Sequence, residues 1–194
     1  MTKPDTLLAN IHQCHHCEPH LALGAKPIIQ FHPNAKILIA GQAPGKQAHM
    51  SGIPFDDASG DRLRQWMGID KDSFYDPKTV AILPMGFCYP GTGKSGDLAP
   101  LKECQLLWRT QLLEQLTSVQ LTLVIGKYAI DYHLPDEGLT LTQTVGQWRQ
   151  YAPNIFVLPH PSPRNNIWLA KNPWFNEQVL PELQKRVKQL LQDE

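Results

Sequence analysis

Four short apolar runs, each closed by glycine or proline, constrain the fold of this chain more than any other feature. They are Lys36-Ile-Leu-Ile-Ala-Gly41, Thr79-Val-Ala-Ile-Leu83 before Pro84, Leu121-Thr-Leu-Val-Ile-Gly126, and Asn154-Ile-Phe-Val-Leu158 before Pro159. Continuous rather than alternating apolar character marks strands buried on both faces, as in a parallel sheet. Helical patterns lie between them. Leu101, Cys104, Trp108, Leu112 and Leu116 recur at three- or four-residue steps and define one apolar face. A shorter helix is expected over 61–67, with Ser59 as its cap. Leu180, Leu183, Val187 and Leu191 form a stripe on a C-terminal helix that starts near Asn172-Pro173 and is expected to kink at Pro181. Strands alternating with helices predict an α/β fold, a three-layer α/β/α sandwich around a mainly parallel four-stranded sheet. In 194 residues with no repeat or linker, residues 1–194 read as one domain. Sites in such sheets lie at the carboxyl ends of the strands. The loops that follow the first, second and fourth runs are therefore the informative ones.

Composition narrows the function. Lys plus Arg and Asp plus Glu are both 18, so a bulk polycation is excluded and any nucleic-acid contact must use a local basic surface. No apolar run approaches the roughly 20 residues of a membrane span. The first ten residues carry no long apolar stretch of the kind an export signal needs, so the expected location is the cytoplasm. In a reducing compartment, Cys14, Cys17, Cys88 and Cys104 are not expected to form disulfides. They read as C-x2-C and, far downstream, C-x15-C. Two thiolates two residues apart can converge on one soft metal centre, either zinc or an iron–sulfur cluster; four unrelated buried thiols are the other reading.

The loop Gly41-Gln-Ala-Pro-Gly45 can bring backbone amides close to a ligand, or can be an ordinary strand-to-helix turn. Gly91-Thr-Gly-Lys-Ser95 looks like part of a nucleotide-binding P-loop but fails, because position 88 is Cys88 rather than glycine. His160-Pro-Ser-Pro-Arg-Asn165 is the most specific loop. It presents an imidazole, a hydroxyl, a guanidinium and an amide on a backbone restricted by Pro159, Pro161 and Pro163. A histidine held this way at the end of a buried strand suits the stabilisation of developing negative charge.

These loops resemble the signature motifs of the uracil-DNA glycosylase superfamily. Gly41-Gln-Ala-Pro-Gly45 resembles the first motif of family four, and Gly52-Ile-Pro-Phe55 matches its downstream G-x-P-F in phase. Asp57-Ala-Ser-Gly-Asp61 resembles a segment of family five, and the 160–165 loop resembles the second motif of the single-strand-selective monofunctional enzymes. The cysteine spacing resembles the family-four iron–sulfur ligands. The resemblance implies a monofunctional hydrolase that flips a deaminated base, uracil foremost, out of DNA and cleaves its N-glycosidic bond. It implies His160 as the donor to the departing base and Asp57 as the carboxylate near sugar and water. Asp57 as a helix-start carboxylate is the competing reading, and His49 is a weaker alternative base. Gln42, Ala43 and Phe55 would bind the base, Phe55 by stacking, unless it is a core residue. Lys46, Lys94, Ser162, Arg164, Asn165 and Lys171 would contact DNA, with Arg164 as wedge or clamp. Cys14, Cys17, Cys88 and Cys104 would hold one [4Fe–4S] cluster, with zinc as the alternative. The expected partner is DNA containing deaminated bases, no membrane is involved, and the chain is expected to act as a monomer. Ala43 stands where other families place Asp or Asn, Ala48 and His49 replace a family-four acidic pair, and Pro84 replaces a base-reading Asn. A catalytically weak DNA- or damaged-base-binding protein on the same scaffold is therefore the alternative function.

Overall fold

All four apolar runs form strands in the computed structural model, which describes residues 3–94, 96–134 and 138–192. In chain order the strands are β1 (Ile37–Ala40), β2 (Val80–Ile82), β3 (Thr92–Gly93), β4 (Gly96–Asp97), β5 (Leu121–Ile125) and β6 (Ile155–Leu158). Strands β2-β1-β5-β6 make one sheet with every neighbouring pair parallel, while β3 and β4 make a separate antiparallel hairpin. Ile37 lies opposite both Val80 and Leu121, and Ile39 opposite both Ile82 and Leu123. The chain builds outward from β1 to β2, then returns to the other side of β1 to lay down β5. The strand order thus reverses between β1 and β5, which opens a crevice at their carboxyl ends.

The helices are α1 (Pro4–His12), α2 (Lys46–Ser51), α3 (Ala58–Met67), α4 (Lys71–Tyr75), α5 (Thr110–Gln115), α6 (Lys127–His133), α7 (Leu141–Gly146), α8 (Trp148–Tyr151), α9 (Asn166–Lys171) and α10 (Leu180–Gln192). Successive side chains of a strand point to opposite faces. On one face Leu38, Ala81 and Leu83 pack with Leu7 and Ile11 of α1 and Leu112 of α5. On the other, Ile37, Ile39, Val80 and Ile82 pack with Leu63, Trp66 and Met67 of α3 and with Leu183, Val187 and Leu190 of α10. Helix α6 packs against β5, and α7 and α8 pack against β6. The result is the expected three-layer α/β/α arrangement. Among the described residues no helix is long and apolar enough to cross a membrane.

One local expectation is corrected, and two helices carry π turns that the sequence did not announce. The cap of α3 is Asp57, whose carboxylate accepts the Gly60 N–H at 2.9 Å; Ser59 lies inside the first turn and is buried. Asp57 wins because it is the last residue with extended backbone, φ −158°, from which a side chain reaches the free amides of the first turn. The stripe Cys104, Trp108, Leu112 and Leu116 packs into one cluster as expected, although a π turn over Gln105–Arg109 runs through it. Leu106 in that turn is 84% exposed, while Arg109 is fully buried. Ahead of Pro181, the C-terminal helix widens into a second π turn, Phe175–Val179. Pro181 has no N–H to return to the carbonyl four residues earlier, and the wider turn absorbs that loss.

Candidate active site

The loops at the carboxyl ends of β1, β2 and β6 enclose a cavity of about 440 Å³ together with the N-terminus of α3 and the β3–β4 hairpin. Of the residues that the sequence singled out, the cavity brings together Gln42, Ala43, Lys46, Phe55, Asp57, His160, Ser162, Arg164 and Asn165. Lys94 is exposed in the hairpin turn and Lys171 is exposed at the end of α9; neither lines the cavity. His49 is buried outside the lining, with its ring 6.0 Å from that of Tyr89, so it is not placed to act in the cavity. Ser95 lies outside the described residues.

Backbone bonds lace the first two loops together. Leu83, Met85 and Gly86 donate their N–H groups to the carbonyls of Ile39, Gly41 and Gln42 at 2.8–2.9 Å. The sequence that resembles a P-loop becomes the hairpin instead of entering a helix. Gln42 holds it over the cavity by donating from Nε2 to the Leu98 carbonyl at 3.1 Å. The amide nitrogen of Gln42 is thus engaged within the protein.

Phe55 has left-handed backbone, φ +55°, which a bulky residue adopts only when its surroundings impose it. Two contacts do so. Tyr75 Oη donates to the carbonyls of Pro54 and Phe55 at 3.0 and 3.3 Å. Gly60 lets α3 press against the Phe55 carbonyl: a Cβ there would stand 2.7 Å from the carbonyl carbon and closer still to its oxygen. The Phe55 ring abuts Gly41 in the cavity and meets Phe74 edge-on behind it, at 6.2 Å between centroids. Phe55 is both cavity wall and core edge. Asp57 likewise combines two roles: Oδ1 caps α3 while the side chain faces the cavity.

His160 is half-buried at the end of β6. Its Nδ1 accepts the Ser162 N–H at 3.2 Å, so in the neutral ring the proton sits on Nε2, which is left as a donor. Burial pushes its pKa below the ordinary value, and the carboxylates of Asp57 and Asp97 partly offset that fall. The loop is braced from within. Asn165 Nδ2 donates to the His160 carbonyl at 2.7 Å, Arg62 Nη1 to the Ser162 carbonyl at 3.1 Å, and the Arg164 N–H to Ser162 Oγ at 3.2 Å. Asn165 and Ser162 therefore hold the loop's shape as well as facing the cavity. The Arg164 guanidinium packs on Gly96, which has φ +135° and no side chain to obstruct it. Asp97 and Arg62 have no role in the sequence reading, and Ser59 is read there only as a helix cap. The only signal for Asp97 was an acidic residue in the loop following a buried strand.

Behind the cavity, Arg109 donates to the carbonyls of Leu83 and Pro84 at 2.8 and 3.1 Å and lies against the Tyr132 ring. Pro84 thus offers no amide to a base, and its carbonyl is already bonded. The four cysteines are free thiols; Cys17 and Cys104 are buried, Cys14 and Cys88 half-buried. Burial pushes the Cys104 thiol up to about 12 and Cys88 to about 11, with Cys14 and Cys17 adding like-charge repulsion at both. The sulfurs of Cys104 and Cys88 accept backbone N–H bonds from Phe87 and Lys26. Among the described residues, no group of three or more His, Cys, Asp or Glu is arranged to hold a metal ion.

The family profile described as the Uracil DNA glycosylase superfamily matches residues 28–184. Among solved structures, the solution NMR structure of a candidate uracil DNA glycosylase from Methanosarcina acetivorans is similar at 17% identity and a TM-score of 0.48. The match covers 84% of this chain and 95% of that one.

Proposed function

This chain belongs to the uracil DNA glycosylase superfamily, and on that premise we propose that it is a monofunctional DNA repair glycosylase that excises deaminated bases, uracil foremost. A base stacked in a duplex hides its glycosidic bond, so the target nucleotide must be flipped into the cavity. There C1′–N1 breaks with the electron pair leaving on the base, and the sugar becomes cationic. The observation that carries the reading is a half-buried histidine, with Nε2–H free to donate, sharing one cavity with a carboxylate. His160 meets the departing anion; a preorganised donor of this kind is worth about 3–4 kcal/mol. Asp57 supplies negative charge beside the sugar. Phe55 offers a ring face to the pyrimidine. Lys46 and Arg164 provide cations for phosphates at the cavity mouth, and Lys94 and Lys171 extend that basic surface. No lysine takes a Schiff-base role, so hydrolysis ends at the abasic site. The protein acts as a monomer.

Cys14 adds like-charge repulsion at Cys17, Cys88 and Cys104, so the four sulfurs lie within electrostatic reach of one another, and two of them accept backbone N–H bonds, which suits thiolate ligation. Cys14, Cys17, Cys88 and Cys104 would hold a [4Fe–4S] cluster, with zinc as the alternative, and the group would be structural, pinning the N-terminal segment to the segment after β2. A second reading, a damaged-base or DNA-binding protein with weak catalysis, is favoured by Ala43 and by the engaged carbonyl of Pro84. Incubation with a uracil-containing oligonucleotide decides between them. Alkali-labile sites above background support the glycosylase. Tight binding without release of uracil, hypoxanthine or xanthine leaves the binding protein.

A further inference from the structure

Asp57 is not the only carboxylate over this cavity. Asp97, in strand β4 of the hairpin, lines it as well. The two converge: a Cβ placed on Gly45 would stand 3.6 Å from Asp57 Oδ2 and 3.7 Å from Asp97 Oδ2. Their surroundings differ. Asp57 is committed to α3, with Oδ1 accepting the Gly60 N–H, so one of its two oxygens is already engaged. Neither carboxylate oxygen of Asp97 takes a hydrogen bond or ion pair among the described residues, and the residue is open to water. The hairpin that carries it is held in place by Gln42 on the Leu98 carbonyl and by Arg164 on Gly96.

Building on the glycosylase reading, we propose that Asp97 is the general base, orienting and deprotonating the attacking water, while Asp57 stabilises the sugar cation. The step balances. Water oxygen bonds to C1′ as C1′–N1 breaks, the bond's electron pair leaves with the base, and the water proton passes to Asp97. His160 donates a hydrogen bond to the anionic base without losing its proton.

The test is single-turnover release of uracil from DNA at neutral pH by the parent, Asp97→Asn, Asp97→Glu and Asp57→Asn. The charged or titratable groups lining the cavity are Lys46, Asp57, Asp97, His160 and Arg164. Asp97→Asn should slow release about 100-fold or more, a typical loss for a general base, while DNA affinity holds. Asp97→Glu should recover part of the rate. Asp57→Asn should slow release through loss of the charge beside the sugar. NMR titration adds a reading independent of turnover: His160 should titrate lower in Asp97→Asn than in the parent, as it loses a facing negative charge. Release by Asp97→Asn at the parent rate, no recovery in Asp97→Glu, or an unmoved His160 overturns this assignment alone. A parent that releases no base overturns the glycosylase reading itself.

Discussion

Replacing His133 by glutamine isolates a pH-dependent element of stability behind the cavity wall. Arg109 Nη2 lies 2.7 Å from His133 Nε2 and, as a guanidinium, can only donate, so that nitrogen must be an unprotonated acceptor. Protonating it would set two donors and two positive charges against each other. Burial first, then the Arg109 charge, push His133 from its ordinary 6.5 down to about 4. Because the folded state holds the proton less tightly than the unfolded chain, stability is full above about pH 6.5 and falls as pH drops toward 4, with no further loss below. At 1.36 kcal/mol per pH unit, the loss between pH 7 and pH 4.5 is about 2–2.5 kcal/mol. His133→Gln can still accept from Arg109 but does not titrate. Urea unfolding of both proteins at closely spaced pH values should show the parent falling more steeply by that amount, with no change in m-value. Parallel stability curves over this range would refute the acceptor role of His133.

Gly60→Ala should destabilise by about 2–4 kcal/mol, read as a lower urea midpoint, because its methyl must displace the Phe55 carbonyl and with it the Asp57 cap. His160→Ala should lose two to three orders of magnitude in single-turnover release while binding uracil-containing DNA as the parent does; release at the parent rate would remove the imidazole from the mechanism. Cys104→Ser, purified anaerobically, should lose iron and visible absorption. Colourless parent with stoichiometric zinc would replace the cluster by the metal ion.

The sheet was legible because strands buried on both faces leave continuous apolar runs, and each of the four ends on glycine or proline. The 160–165 loop was legible for a related reason: three prolines and a histidine cannot be ordinary helix or strand. What escaped depends on geometry that period counting does not carry. Arg109, three residues before Leu112 on the apolar face, is an arginine on paper and yet the largest fully buried side chain among the described residues. Asp57 had two competing readings from the sequence, yet the two coexist because a cap uses only one carboxylate oxygen. Asp97 sat two residues after a glycine–lysine–serine string whose P-loop resemblance drew the attention. Its place over the cavity comes from a hairpin with just two residues in each strand.

That hairpin is a cantilever. Cys88 and Cys104 stand on either side of it in the chain, and the arm between them carries Asp97 out to Gly45 while Arg164 and Gln42 grip it farther along. The arm is thus tied twice, at its root by the residues around the two sulfurs and near its tip by Gln42 and Arg164, and the aim of Asp97 depends on both ties holding.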